Sequence, residues 1–123
     1  MKENMNSSFG KLPEGSYEWE IFDVSDLQQK ARSVQRTWKL NTVVDGNIEQ
    51  VWFYMRPFEY KVILIALGYK TDDAGNIDWE IDDVKGKKIA GVLSYRQFNG
   101  KDYPMLSMIK PCDNASIGEE IPF

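Results

Sequence analysis

A mainly β chain, with five short strands and one helix between the third and the fourth, is what this sequence predicts. Three observations carry that expectation. Apolar and polar residues alternate with a period of two over several short segments. Two pairs, Asp45-Gly46 and Asn99-Gly100, lie between such segments, and a tight hairpin needs positive φ at both central positions. Between the two pairs lies an apolar segment, residues 57–68, opened by Pro57 and closed by Gly68, the punctuation of a short helix.

Each element follows in turn. Residues 1–11 are polar and read as a flexible arm. Leu12-Pro13-Glu14-Gly15 makes a turn into the first strand, where Tyr17, Trp19 and Ile21 share one face and Glu18 and Glu20 the other. Residues 25–33 are polar and are expected as a turn or a loose helix. The second strand covers residues 34–44. Val34, Trp38 and Leu40 face one way; Gln35, Thr37, Lys39 and Asn41 face the other. The third strand, residues 48–55, turns Val51, Phe53 and Met55 to the core and Gln50, Trp52 and Tyr54 outward. Phe58, Val62, Ile65 and Ala66 are expected as the buried stripe of the helix.

Residues 71–83 carry Asp72, Asp73, Asp78, Glu80, Asp82 and Asp83 and no base. They read as a solvated loop, in which Ile77, Trp79 and Ile81 alternate like a short edge strand. The fourth and fifth strands are expected at residues 87–95 and 103–109, on either side of Asn99-Gly100, and Pro111 closes the folded part. Strand, strand, strand, helix, strand, strand is the order of an OB-fold, a partly open five-stranded barrel. A small α+β sheet with the helix on one side is the alternative. The expected organisation is an arm at 1–11, an OB-fold domain at 12–111 and an acidic tail at 112–123.

The chain has 123 residues, the size of one domain, and 42% hydrophobic residues, enough for a core. No apolar run approaches the roughly 20 residues of a membrane-spanning helix. The start of the chain lacks the apolar stretch of a secretory signal. Cys112 has no second cysteine to pair with, so the cytoplasm is the expected compartment. With no histidine and one cysteine, a structural zinc site and a Ser–His or Cys–His nucleophile are excluded. Around Gly75 the acids do not fit the register of a calcium loop. No enzyme and no cofactor are expected; a carboxylate-dependent nuclease ranks last.

Net charge is −4 but unevenly spread. Residues 27–44 hold Lys30, Arg32, Arg36 and Lys39 and no acid. Residues 84–110 hold Lys85, Lys87, Lys88, Arg96, Lys101 and Lys110 against Asp102 alone. Bases beside exposed aromatics are what a single nucleic-acid strand requires, since every base has a π-face and every phosphate a charge. Trp52, Tyr54, Tyr95 and Phe98 are the candidate stacking residues. Arg36, Lys39, Arg56, Lys87, Lys88, Arg96 and Lys101 are the candidate phosphate contacts.

The chain closes on Glu119, Glu120, Ile121, Pro122 and Phe123. This "EEIPF" resembles the acidic tip of bacterial single-stranded DNA-binding proteins. Leu12–Tyr17 ("LPEGSY"), Leu67-Gly68-Tyr69 and Gly86-Lys87-Lys88 are similar, more weakly, to small phage and mobile-element proteins of the same kind. The resemblance implies a sequence-independent single-stranded DNA-binding protein. Its tip would recruit host replication, recombination or repair enzymes, a terminal ring filling an apolar pocket while the carboxylate meets a cation at its rim. The long Gly/Gln/Pro-rich linker of the bacterial family is here only residues 111–118, which leaves a homo-oligomer open. The alternative is a decoy that occupies a host enzyme's tip-binding pocket without binding DNA.

Overall fold

The computed structural model describes residues 12–30 and 33–112. In chain order they form β1 (Gly15–Val24), β2 (Gln28–Lys30), β3 (Ser33–Val44), β4 (Asn47–Met55), α1 (Pro57–Ala66), α2 (Ile81–Val84), β5 (Lys88–Phe98) and β6 (Lys101–Pro111). The arm at 1–11 and the tip at Glu119–Phe123 lie outside the described residues.

The architecture is mainly β: one antiparallel sheet in the order β4-β3-β1-β5-β6, with β2 paired to the start of β3. β1 is shared between two neighbours. Its first half pairs with β5, from Gly15↔Leu93 to Glu20↔Lys88, and its second half with β3, from Glu20↔Asn41 to Val24↔Trp38. A register shift between Ile21 and Asp23 separates the halves. Such a bulge bends and twists a strand, and here it coils the sheet around its apolar face. The sheet is not closed: among the described residues no ladder joins β4 to β6. A cleft of about 200 Å³ lies there, lined by Phe53, Met55, Val62, Leu106 and Ile109 among others.

The core fills the concave side. Trp19 and Ile21 from β1, Trp38 and Leu40 from β3, Phe53 from β4, Ile63 from α1, Val84 from α2, and Ile89 and Leu93 from β5 are buried. Trp19 meets Phe53 edge-on at 5.5 Å, and its indole N–H donates to the Gly91 carbonyl at 3.3 Å. Gly91 sits at a close approach: a Cβ there would stand 2.9 Å from Leu106 Cδ1, and that side chain would have to shift. Both hairpin turns have the dihedrals their residues favour, with φ of 51° at Asp45, 81° at Gly46, 54° at Asn99 and 78° at Gly100.

Five expectations are corrected. Residues 28–30 form a strand where a turn or loose helix was expected. β3 begins before its ladder with β1, and β2 supplies partners for those first backbone groups, Gln28↔Gln35 to Lys30↔Ser33. The connection from β4 to β5 holds two helices, not one, because Ile81–Val84 closes a helical turn. No strand forms at residues 77–81; Trp79 stacks on Trp38 at 5.8 Å and holds the acidic segment down as a loop. The last two strands run closer to their turn than 95 and 103, to Phe98 and from Lys101.

The fifth correction concerns the face of α1. Tyr60, Ile63 and Leu64 are buried, while Phe58, Val62 and Ile65 are exposed; of the expected stripe only Ala66 packs against the core, half-buried. Both sets are apolar at helical spacing. The choice between them is tertiary: the Tyr60 hydroxyl receives the Arg36 Nε–H at 3.0 Å, and its ring packs on Trp38. Local signals set the ends of α1. Pro57 opens it, and the Arg56 amide donates to Glu59 Oε1 at 2.8 Å. Gly68, at φ 104°, closes it, with the Tyr69 amide bonded to the Leu64 carbonyl.

Candidate nucleic-acid interface

The pairing of β3 with β4 sets the outward row. Thr37↔Tyr54, Lys39↔Trp52 and Asn41↔Gln50 stand opposite each other on the convex face. Trp52 is 45% and Tyr54 48% exposed, while Phe53 between them is 1% exposed. The acidic loop does not cover these rings, since its anchor Trp79 sits in the Trp38–Tyr60 cluster on the other face.

Trp52 is pinned at its edge. Its indole N–H donates to Gln50 Oε1 at 2.7 Å, and Gln50 Nε2 donates to Asn41 Oδ1 at 3.0 Å. An indole nitrogen can only donate, so it fixes which end of each amide faces which. The Lys39 ammonium lies 4.4 Å from the centre of the Trp52 ring. A cation therefore covers one face of an exposed indole held in a set orientation. Tyr54 stands about 7 Å further along β4, two residues at the rise of a strand. Two outward rings spaced along a strand, beside a cation, can take unstacked bases and a phosphate.

Arg56 lies at the end of this row, before α1. Its guanidinium packs over Phe58 at 4.7 Å and approaches Glu59 Oε1 at 3.5 Å, so part of its charge is answered within the chain. Lys88 is on the convex face but across β1, in register with Glu20. A concavity of about 370 Å³ is lined by Lys88, Glu18, Glu20, Asn41, Val43 and Ile48 among others. Glu18 and Glu20 thus interpose acids between Lys88 and the Lys39–Trp52 row. Their alternation opposite buried Trp19 is the signal that places them outward. Lys87 leans over the Tyr69 ring at 5.4 Å.

Arg36 is not on this face. It follows the parity of Trp38, donates to the Tyr60 hydroxyl and the Ser25 carbonyl, both at 3.0 Å, and lies 5.1 Å from the centre of the Trp79 ring. Lys85 is also engaged, with Asp23 at 3.3 Å and Asp82 at 3.4 Å. Its hydrogen bond to Asp23 is the first cause that raises its pKa above the usual lysine value. That pair ties α2 to the bulge of β1.

The β5–β6 hairpin divides its residues. Tyr95 shares a shallow groove with Gln50, Trp52, Asp102 and Pro104. Its hydroxyl donates to the Leu12 carbonyl at 2.8 Å and its amide to Glu14 Oε2 at 3.0 Å. Burial pushes the Tyr95 hydroxyl above its ordinary pKa, with Tyr17, Glu14 and Asp102 adding to the shift. Arg96, Phe98 and Lys101 take the opposite parity and stand on the other face of the hairpin. The structure therefore gathers Lys39, Trp52 and Tyr54, with Tyr95 across a groove, and leaves Arg36, Lys88, Arg96, Phe98 and Lys101 elsewhere.

Among the described residues no group of three or more His, Cys, Asp or Glu side chains is placed to hold a metal ion. No helix among them is long and apolar enough to cross a membrane. No protein-family model matches this chain, and no curated protein matches it.

Proposed function

We propose that this chain binds single-stranded DNA without sequence specificity on the convex face of β3 and β4, in the cytoplasm and in the replication or recombination of a phage or other mobile element. The observation that carries the reading is the Lys39–Trp52 pair: an exposed indole, held by Gln50, with an ammonium 4.4 Å from its centre. Trp52 and Tyr54 take bases, at roughly 1–3 kcal/mol per stacked base. Lys39 and Arg56 meet phosphates. The strand order β4-β3-β1-β5-β6, with a helix crossing from β4 towards β5, supports an OB-type barrel whose remaining gap lies between β4 and β6. In the same reading Glu119, Glu120, Ile121, Pro122 and Phe123 recruit host DNA-processing enzymes; their sequence alone supports that part.

The test is a fluorescence titration with oligo-dT at several salt concentrations. Trp19 and Trp38 are fully buried and Trp79 is stacked on Trp38, so base stacking quenches Trp52 above all. Quenching that weakens as salt rises is the expected result, because bound phosphates release counterions. Equal affinity for duplex DNA, or no quenching at low salt, would rule the reading out.

A further inference from the structure

We propose that the outer face of the β5–β6 hairpin is a second, separate seat for single-stranded nucleic acid, so that one chain holds two strand segments and bridges them. The proposal rests on the nucleic-acid reading above but uses none of the same residues. Its basis is the hairpin register. Arg96 stands opposite Tyr103, and Phe98 opposite Lys101. Partners in an antiparallel pair share a face, and alternate residues on a strand do too. All four therefore lie together, turned away from buried Leu93 and from Tyr95.

The two faces of this hairpin differ in charge and in occupancy. The inner face carries Tyr95, Asp102 and Pro104, borders the Trp52 groove, and is tied to Leu12 and Glu14. The outer face carries two cations, two rings and no acid in the span from residue 96 to 103. Phe98 is 59% exposed and Tyr103 is exposed as well. Each ring stands directly across from a cation. Among the described residues no salt bridge involves Arg96 or Lys101, so both charges are available to an anion. Rings for bases beside unanswered cations for phosphates fit a single strand. The inner face borders the Trp52 groove and the outer face turns from it, so the outer face is assigned a strand segment of its own.

The experiment uses the full chain and two non-complementary probes: immobilised oligo-dT and dye-labelled oligo-dT of about 8 nucleotides, a length one such site spans. Wild type should capture the labelled oligomer and hold two short oligomers per chain in native mass spectrometry. The double variant Phe98→Ala/Lys101→Gln should keep Trp52 quenching, hold one oligomer per chain, and lose capture by about tenfold or more, as expected when one stack and one phosphate contact are removed. Trp52→Ala should lose quenching while its hairpin seat remains filled. If the double variant does not fold, Arg96→Gln on the same face carries the comparison. One oligomer per wild-type chain, or undiminished capture by the hairpin variants, overturns the second seat while quenching still upholds the Trp52 site. Two-oligomer occupancy without quenching, falling to one in the double variant, rejects the Trp52 site and keeps the hairpin seat. No binding at all rejects both.

Discussion

Two aromatic–cation clusters grow from one strand, β3, and they do opposite things. Arg36 and Trp38 point to the concave side, where they meet Tyr60 and Trp79. Lys39 points to the convex side, where it meets Trp52. The residue types are nearly the same. In the first cluster the arginine Nε and one terminal nitrogen are bonded within the chain and the rings are packed on one another. In the second the ring edge is answered, one ring face carries a cation, and the rest meets solvent. The difference teaches that an aromatic beside a base indicates a ligand only when the chain leaves both partly unmatched; the side of the strand decides that.

The largest expected effect breaks the comparison at its aromatic members. Trp38→Ala removes a ring with no exposed surface that contacts both Tyr60 and Trp79. It should cost about 3–5 kcal/mol, the range for emptying an aromatic core site, read as a fall in the urea midpoint. Trp52→Ala should leave that midpoint nearly unchanged and instead weaken oligo-dT binding by about 1–3 kcal/mol. If the two variants lose similar stability, Trp52 is a packing residue.

Next comes the helix that roofs the interior cluster. Ile63→Ala, at a fully buried position, should destabilise by about 2–5 kcal/mol. Ile65→Ala, on the exposed side of α1, should stay within about 0.5 kcal/mol of wild type. The reverse order in thermal unfolding would restore the stripe of Phe58, Val62 and Ile65 as the buried one.

That reversal marks where the sequence stops being legible. Strand alternation gave Trp52 and Tyr54 outward and Phe53 inward, because a period of two has only two faces to choose between. The Asp45-Gly46 and Asn99-Gly100 turns were legible because their chemistry is local. The face of α1 was not. Residues 57–66 are apolar on more than one side, and the choice depends on a hydroxyl of Tyr60 meeting Arg36 from a distant strand. The same alternation that turned Lys39 outward also turned Arg36 inward beside Trp38; grouping Arg36 with the phosphate contacts by charge alone overlooked that parity. The division of the hairpin was readable in the same way. Strand β2 was not, because it exists only to pair the backbone at the start of β3.

Arg36 gives the third break, smaller than the core substitutions. Arg36→Met keeps much of the apolar stem but removes the donors to the Tyr60 hydroxyl and the Ser25 carbonyl. Each is a charge-assisted bond, so a loss of about 1.5–3 kcal/mol in stability is expected. Because the guanidinium is held on the concave side, the salt dependence of oligo-dT binding should not change. A shallower salt slope with normal stability would return Arg36 to the phosphates.

Lys39→Gln is the finest test, because it asks what the outward cation does when the strand arrives. In the free chain Lys39 sits over Trp52, an exposed cation–π contact worth about 0.5–1 kcal/mol at most. Two outcomes separate cleanly. If the ammonium swings to a phosphate, the variant releases one fewer counterion, and the slope of log K against log salt falls by about 0.7, the value per contact for a single strand. If the ammonium stays on the indole in the complex, the slope is unchanged and the urea midpoint alone drops slightly. Lys61→Gln, an exposed lysine on α1 beside the acidic segment, should alter neither quantity. The proposed role for the convex face requires the first outcome. The second would make Lys39 a clamp that only orients the ring, an outward counterpart of what Arg36 does within.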